Sequence, residues 1–227
     1  MGIKENLTAL RTKIATAAKR SGRSPEEIKL VAVIKNIPDE LVREAIRAGL
    51  ADFGENRVQE AKKRNAFLRA AGPNISVQMI GHLQTNKVGQ ALDMFDIIQS
   101  VDSERLLEEI NRRALKPVPI LIEVNTSGET SKFGIEPEKT VALARFASTF
   151  EKIKLQGLMT IGPVVDDPEK ARLSFAHLRE LKEKIDKLVL PNVAMKHLSM
   201  GMSGDFEIAI EEGSNLVRLG RAIFKEE

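Results

Sequence analysis

Eight short strand-like segments alternate with helix-like ones along the 227 residues, and this alternation limits the fold more than any other feature of the sequence. The clearest strand is Val118-Pro119-Ile120-Leu121-Ile122-Glu123-Val124, with Pro119 near its start, where the missing N–H is tolerated. Leu30-Val31-Ala32-Val33-Ile34, Ser76-Val77-Gln78-Met79-Ile80 and Ile97-Ile98-Gln99-Ser100-Val101 read the same way. So do segments 154–159, 193–198 and 216–219. Asp52-Phe53-Gly54-Glu55 is weaker and is assigned from its place between two good helices.

The first helix carries Leu7, Leu10, Ile14 and Ala17 at helical spacing and is ended by Gly22. The next, over 38–49, is closed by Gly49. Further helices are expected over 58–68, 88–95, 103–114 with Ser103 as N-cap, 137–150, 168–188 and 205–212, that over 168–188 being the longest. Strand–helix units of this kind build a parallel sheet, and eight of them favour closure. The expected fold is α/β: a single-domain (β/α)8 TIM-type barrel over residues 1–227 with an extra N-terminal helix. An open doubly wound sheet lacks its Gly-x-Gly-x-x-Gly after the first strand.

Composition narrows the function. There is no cysteine, so disulfides, thiolate metal sites and a cysteine nucleophile are ruled out. His82, His177 and His197 lie far apart and no pair has helical ligand spacing, so no metal is expected. The net charge of +3 is too small to argue for nucleic acid. With no Trp or Tyr and only nine Phe, there is little to stack bases on. The polar N-terminus does not resemble a signal peptide, and no apolar run reaches membrane-spanning length, so a cytoplasmic chain with no membrane partner is expected.

In barrels of this type chemistry gathers where strands end. Lys35 directly follows the first strand; partly buried among polar groups, its pKa would fall and it would serve as a Schiff-base amine. It could equally be a lysine that has reached solvent at a strand end. Asn56 follows the second strand and would project an amide into the mouth. His82 is taken as a loop or capping residue. The seventh strand runs into Ser199-Met200-Gly201-Met202-Ser203-Gly204-Asp205, small residues that leave backbone N–H groups for an anion. The eighth supplies Arg218-Leu219-Gly220-Arg221, where Gly220 would let backbone approach a ligand. Phosphate sites in these barrels often follow strands seven and eight. A plain helix cap at Ser203 is the simpler alternative. A lysine facing a phosphate cradle points to pyridoxal 5'-phosphate (PLP) or to a phosphosugar aldolase.

Ordered blocks carry a resemblance along nearly the whole chain. They are Val31-Ala32-Val33-Ile34-Lys35, Phe53-Gly54-Glu55-Asn56-Arg57-Val58-Gln59-Glu60, Ile80-Gly81-His82-Leu83-Gln84-Thr85-Asn86-Lys87 and Val124-Asn125-Thr126-Ser127-Gly128-Glu129. Gly157-Leu158-Met159-Thr160-Ile161, Leu198 to Ser203 with Asp205-Phe206, and Glu211 to Asn215 with Val217 to Gly220 complete the set. The sequence resembles the YggS/PROSC family of PLP-binding, PLP homeostasis proteins. The resemblance implies a barrel similar to the alanine racemase N-terminal domain (fold type III among PLP proteins) and PLP held as an internal aldimine on Lys35. It implies that Ser199, Gly201, Met202, Ser203 and Gly220 hold the phosphate, that Arg218 faces the pyridine nitrogen and that Asn56 lines the ring. It implies Lys132 as a second place where PLP is received. Ile34 and Arg57 depart from the family's Ser or Thr and Tyr, which would alter polarity at the rim.

The same residues separate carrier from enzyme. A racemase of this fold needs a second acid/base, a tyrosine from a second domain, and this chain has no tyrosine. An arginine on the pyridine nitrogen leaves the ring unprotonated and a weaker electron sink. A non-catalytic PLP carrier in vitamin B6 homeostasis, monomeric and handing PLP to apoenzymes, is therefore expected. A PLP-dependent amino-acid enzyme is the alternative, ahead of a cofactor-free aldolase and a nucleic-acid binder. The tail Phe224-Lys225-Glu226-Glu227 offers no evident oligomer face.

Overall fold

The fold was analysed in a computed structural model that describes residues 2–225; Met1, Glu226 and Glu227, the last two in the tail just named, lie outside it. Eight parallel strands close into a barrel in the order β1 to β8. They are Lys29–Val33, Asp52–Glu55, Ser76–Met79, Ile97–Val101, Val118–Glu123, Ile153–Met159, Val193–Ser199 and Leu216–Leu219. Nine α-helices are described: α1 Ile3–Arg20, α2 Asp39–Arg47, α3 Val58–Ala70, α4 Val88–Leu92, α5 Glu104–Arg113, α6 Pro137–Ser148, α7 Arg172–Asp186, α8 Phe206–Glu211 and α9 Arg221–Phe224. All eight expected strands are present within a residue or two.

The helices depart from expectation in three places. The segment expected as the longest helix begins as a 3-10 turn, Pro168–Ala171, and α7 has 15 residues, so α1 with 18 is the longest. Pro168 and the Asp167 carboxylate that accepts the Glu169 N–H define that tight first turn. Ser103 stands at the N-cap of α5, but its side chain makes no capping hydrogen bond. The four-residue α9 was not anticipated; after Gly220 it is too short for a hydrophobic period to register.

Residues that alternate outward along the strands, such as Ala32, Ile98, Ile120, Ile122 and Leu158, join the helices in one continuous core. Inside the barrel lies a smaller apolar cluster of Val31, Leu121, Met159 and Leu216. The rest of the interior is polar. Arg218 donates to Ser199 Oγ at 2.6 Å and to the Thr160 carbonyl at 2.7 Å. Ser199 donates to Gln99, Gln99 to Gln78, and Gln78 to Asp52 at 2.8 Å. A row of donors thus runs from a buried cation on β8 across β7, β4 and β3 to a carboxylate on β2. Each member of this row has a partner, which is what a site of low dielectric demands.

The register of β6 shifts on both sides at Leu155 to Gly157. Gly157 has φ of +157°, and a Cβ there would lie 2.0 Å from the His197 carbonyl oxygen. Only glycine lets β6 and β7 stay paired. Gly157→Ala should therefore lower stability by about 2 kcal/mol or more, read from urea unfolding of the two proteins. An unchanged midpoint would mean that the strand relaxes around the methyl group.

Candidate functional site

The strands all end on one face, and two cavities open there. One, of about 400 Å³, is lined by Lys35, Asn56, Arg57, His82, Glu123 and Phe133 among others. The other, of about 330 Å³, is lined by Val33, Met202, Ser203, Gly204, Arg218 and Gly220 among others. Val33 and Lys35 leave the end of β1 two residues apart, so the first strand's end joins the two cavities.

Lys35 lies in a tight turn. The Ile37 N–H donates to the Ile34 carbonyl at 3.2 Å, and Asn36 takes a left-handed conformation with φ of 58°. Asparagine tolerates that region better than most residues. Lys35 itself is exposed, not partly buried as the sequence led one to expect, because the strand ends at Val33 and the turn lifts residue 35 onto the rim. Ile34 is fully buried in the outer core, so its departure from the family pattern does not touch the rim. Arg57 does: its side chain is exposed and lines the same cavity as Lys35.

Asn56 is half-buried, and its Oδ1 is enclosed without a hydrogen-bond partner. Gly81 makes room for it, since a Cβ at 81 would come within 2.4 Å of the Asn56 carbonyl oxygen. Glu123, at the end of β5, was not anticipated. It is 3% exposed, and its Oε2 is buried with no partner. Burial, reinforced by the nearby Asp102 charge and only partly offset by Arg218, raises its pKa to about 7. The visible signal was a carboxylate at the inward end of an otherwise apolar strand. His82 belongs to the cavity wall and is no simple loop or cap residue: its ring stacks on Phe133 at 4.1 Å, and its Nδ1 lies 3.5 Å from Asp102.

The second cavity brings together Met202, Ser203, Arg218 and Gly220, but not the expected Ser199 and Gly201, which are buried and not in its lining. Ser199 and Arg218 are buried; Met202 is exposed and Ser203 and Gly220 are half-buried. The loop is not a plain cap of α8. Ser203 Oγ instead accepts the Ala222 N–H of α9 at 3.3 Å, which ties the β7 loop to the β8 loop. Met202 N–H is taken by the Asp205 carboxylate at 2.6 Å. Among the described residues, the N–H groups of Ser203, Gly204, Gly220 and Arg221 have no protein acceptor. Gly201, with φ of +93°, serves packing: a Cβ there would meet Ala209 at 2.6 Å. Gly220 has an ordinary φ and packs against Val33, whose carbonyl oxygen would be 3.3 Å from an added Cβ. Burial lowers the Arg218 pKa to about 10, still protonated at neutral pH. Lys132 stands apart from both cavities' linings, its ammonium on Glu129 at 2.6 Å and the Gly162 carbonyl at 2.9 Å.

Asn56 and Glu123, each with an enclosed oxygen that lacks a protein donor, thus line one cavity, and several donors without protein acceptors line the other. A ligand with a hydrogen-donating end and an anionic end fits this pair. PLP, with a ring hydroxyl and a phosphate, has that polarity. Among the described residues no cluster of three metal-ligating side chains occurs.

The chain is a closed parallel barrel with a lysine at its mouth, and it belongs to the alanine racemase N-terminal domain family, whose model matches residues 6–227. Within it, the chain belongs to the family of pyridoxal phosphate homeostasis proteins. The homologue so named in Aquifex aeolicus is 41% identical over 98% of this chain and 97% of its own length. The structure of PipY from Synechococcus elongatus with PLP bound superposes with a TM-score of 0.84 at 32% identity, covering 98% of this chain and all of that one. An alanine racemase from Clostridium difficile shares the fold at 16% identity and a TM-score of 0.76, with this chain spanning 57% of it.

The raised pKa of Glu123 has a consequence for stability. Its ordinary value is 4.5 and its folded value about 7, so between them the folded chain holds the extra proton. The stability this group supports at low pH is lost as pH rises through that window, by up to about 3 kcal/mol. Glu123→Gln, always neutral, should flatten the fall in unfolding free energy between pH 4.5 and 7 relative to the wild type. Parallel pH profiles for the two proteins would show that Glu123 titrates normally.

Proposed function

We propose that this chain binds PLP through Lys35 and serves its intracellular homeostasis by storing and handing over the cofactor. The observation that carries this is the juxtaposition at one barrel mouth of a solvent-accessible lysine, orphaned acceptors on Asn56 and Glu123, and the donor cradle at Ser203, Gly204 and Gly220. PLP, when bound, would bring an aldehyde able to bond an amine and a ring able to draw electrons from it. Lys35 would hold that aldehyde as a Schiff base. Asn56 would lie along the ring, Arg218 would face the pyridine nitrogen, and Met202, Ser203 and Gly220 would surround the phosphate, with the expected Ser199 and Gly201 supporting that loop from behind. The names of the homologues and the PLP held by PipY support the same assignment.

A carrier role accounts for what the chain supplies and omits. Arg218 is fixed by two hydrogen bonds and cannot give up a proton to a ring nitrogen near neutral pH. No tyrosine exists in the sequence to act as a second acid/base opposite Lys35. The exposure of Lys35 leaves the linkage open to incoming amines, which suits transfer to PLP-requiring apoenzymes. Among the described helices none is long and apolar enough to cross a membrane. A cytoplasmic location is part of the proposal. A monomer places no further demand on the site. Lys132 would receive PLP on its way in or out.

Adding PLP to purified protein should give a yellow absorption band that borohydride fixes and that Lys35→Ala lacks. Ser203→Ala should keep the band but weaken PLP binding by about fivefold, a lost hydrogen bond's worth. A band that persists in Lys35→Ala would move the linkage to another lysine. No band in the wild type would remove PLP from the site.

A further inference from the structure

We infer that Arg64, on the outer helix α3, is a positioning residue that fixes the turn presenting Lys35; this rests on the proposal that Lys35 carries PLP. Its guanidinium donates to the two carbonyls that bracket the turn, Ile34 at 2.7 Å and Ile37. It also donates to Asp39 at 2.7 Å, on the first turn of α2, and to Glu55 at 2.8 Å, next to Asn56. One side chain thus grips both strand ends that bear proposed cofactor contacts, together with the helix that follows the first. The Arg64 side chain is 13% exposed and Glu55 is fully buried, so that pair is shielded from water, while Asp39 is half-exposed. Planar, forked and permanently charged, a guanidinium suits carbonyl pairs in a way that a lysine ammonium does not.

The need for such a clamp follows from the turn. Asn36 is left-handed, and the hydrogen bond from Ile37 to Ile34 is the turn's own closure. A two-residue bridge with one residue in a sparsely populated region opens readily unless its carbonyls are held. Lys35 contributes nothing to that rigidity, because its side chain is exposed. Arg64 therefore keeps the backbone still while the amine stays free to move. A purely electrostatic role, neutralising buried Glu55, is the competing explanation.

A pair of variants separates the two. Arg64→Met leaves Glu55 buried without its cation, so it should lower both melting temperature and PLP attachment. Arg64→Met combined with Glu55→Gln removes both charges and should recover most of the melting temperature. If Arg64 positions the turn, the double variant still attaches PLP about tenfold more weakly than wild type, since the carbonyl clamp is gone. Its Ile37 amide also exchanges hydrogen about tenfold faster in the cofactor-free protein. Glu55→Gln alone, with the clamp intact, should attach PLP like the wild type. Wild-type attachment and exchange in the double variant would overturn the proposal and leave Arg64 a counter-ion. A wild-type protein with no Lys35-dependent band would instead defeat the PLP assignment, while exchange at Ile37 would still decide whether Arg64 holds the turn.

Discussion

A guanidinium buried inside the barrel imposes its requirements on everything around it. Arg218 is 4% exposed and sits on β8 where other barrels place an aliphatic residue. Taking that charge out of water is tolerated only with partners, and Ser199 and the Thr160 carbonyl supply them. Ser199 must then donate onward, which calls for Gln99, then Gln78, then Asp52. The polar ladder is why this interior cannot be the usual stack of valines and isoleucines. Its upper end, Arg218 with Ser199 and Thr160, ties the ends of β6, β7 and β8 together beneath the loops after β7 and β8.

Against that rigid half stands a more adjustable one. Lys35 is on the rim, on a turn held from behind by Arg64 but with its amine in solvent. Glu123 and Asn56 face the same cavity with unsatisfied oxygens. On the proposed reading, a phosphate would be held firmly at one end and an aldehyde reversibly at the other, which suits a protein that keeps a reactive cofactor and also gives it up. A racemase needs more: a protonated ring and a second acid/base across the substrate. Arg218, if it faces the ring nitrogen as proposed, would work against the first, and the sequence has no tyrosine for the second.

Much of the architecture was legible because parallel strands are buried on both faces and read as continuous β-branched runs. Val118 to Val124 and Leu30 to Ile34 show this plainly. Even Asp52 to Glu55 could be placed by counting units. That Lys35, Asn56, Ser203, Arg218 and Gly220 would line cavities at the barrel mouth was legible because they stand at or just past strand ends. What failed to show is what depends on side-chain direction. Ile34 seemed a rim residue, but period-two alternation turns it into the outer core. Gln78 and Gln99 are single polar residues in apolar strands, and only the closed barrel reveals that they face each other. Arg64 bonds backbone carbonyls across a separation of thirty residues to Ile34, and contacts to carbonyls leave no trace in residue identity.

Cofactor binding by this barrel turns on which amine holds PLP. The direct measurement is peptide mapping by mass spectrometry after PLP-loaded protein is reduced with borohydride. The pyridoxyl mass should fall on the peptide containing Lys35, with at most a minor fraction on that containing Lys132. A label spread evenly over surface lysines, or confined to Lys132, would contradict it.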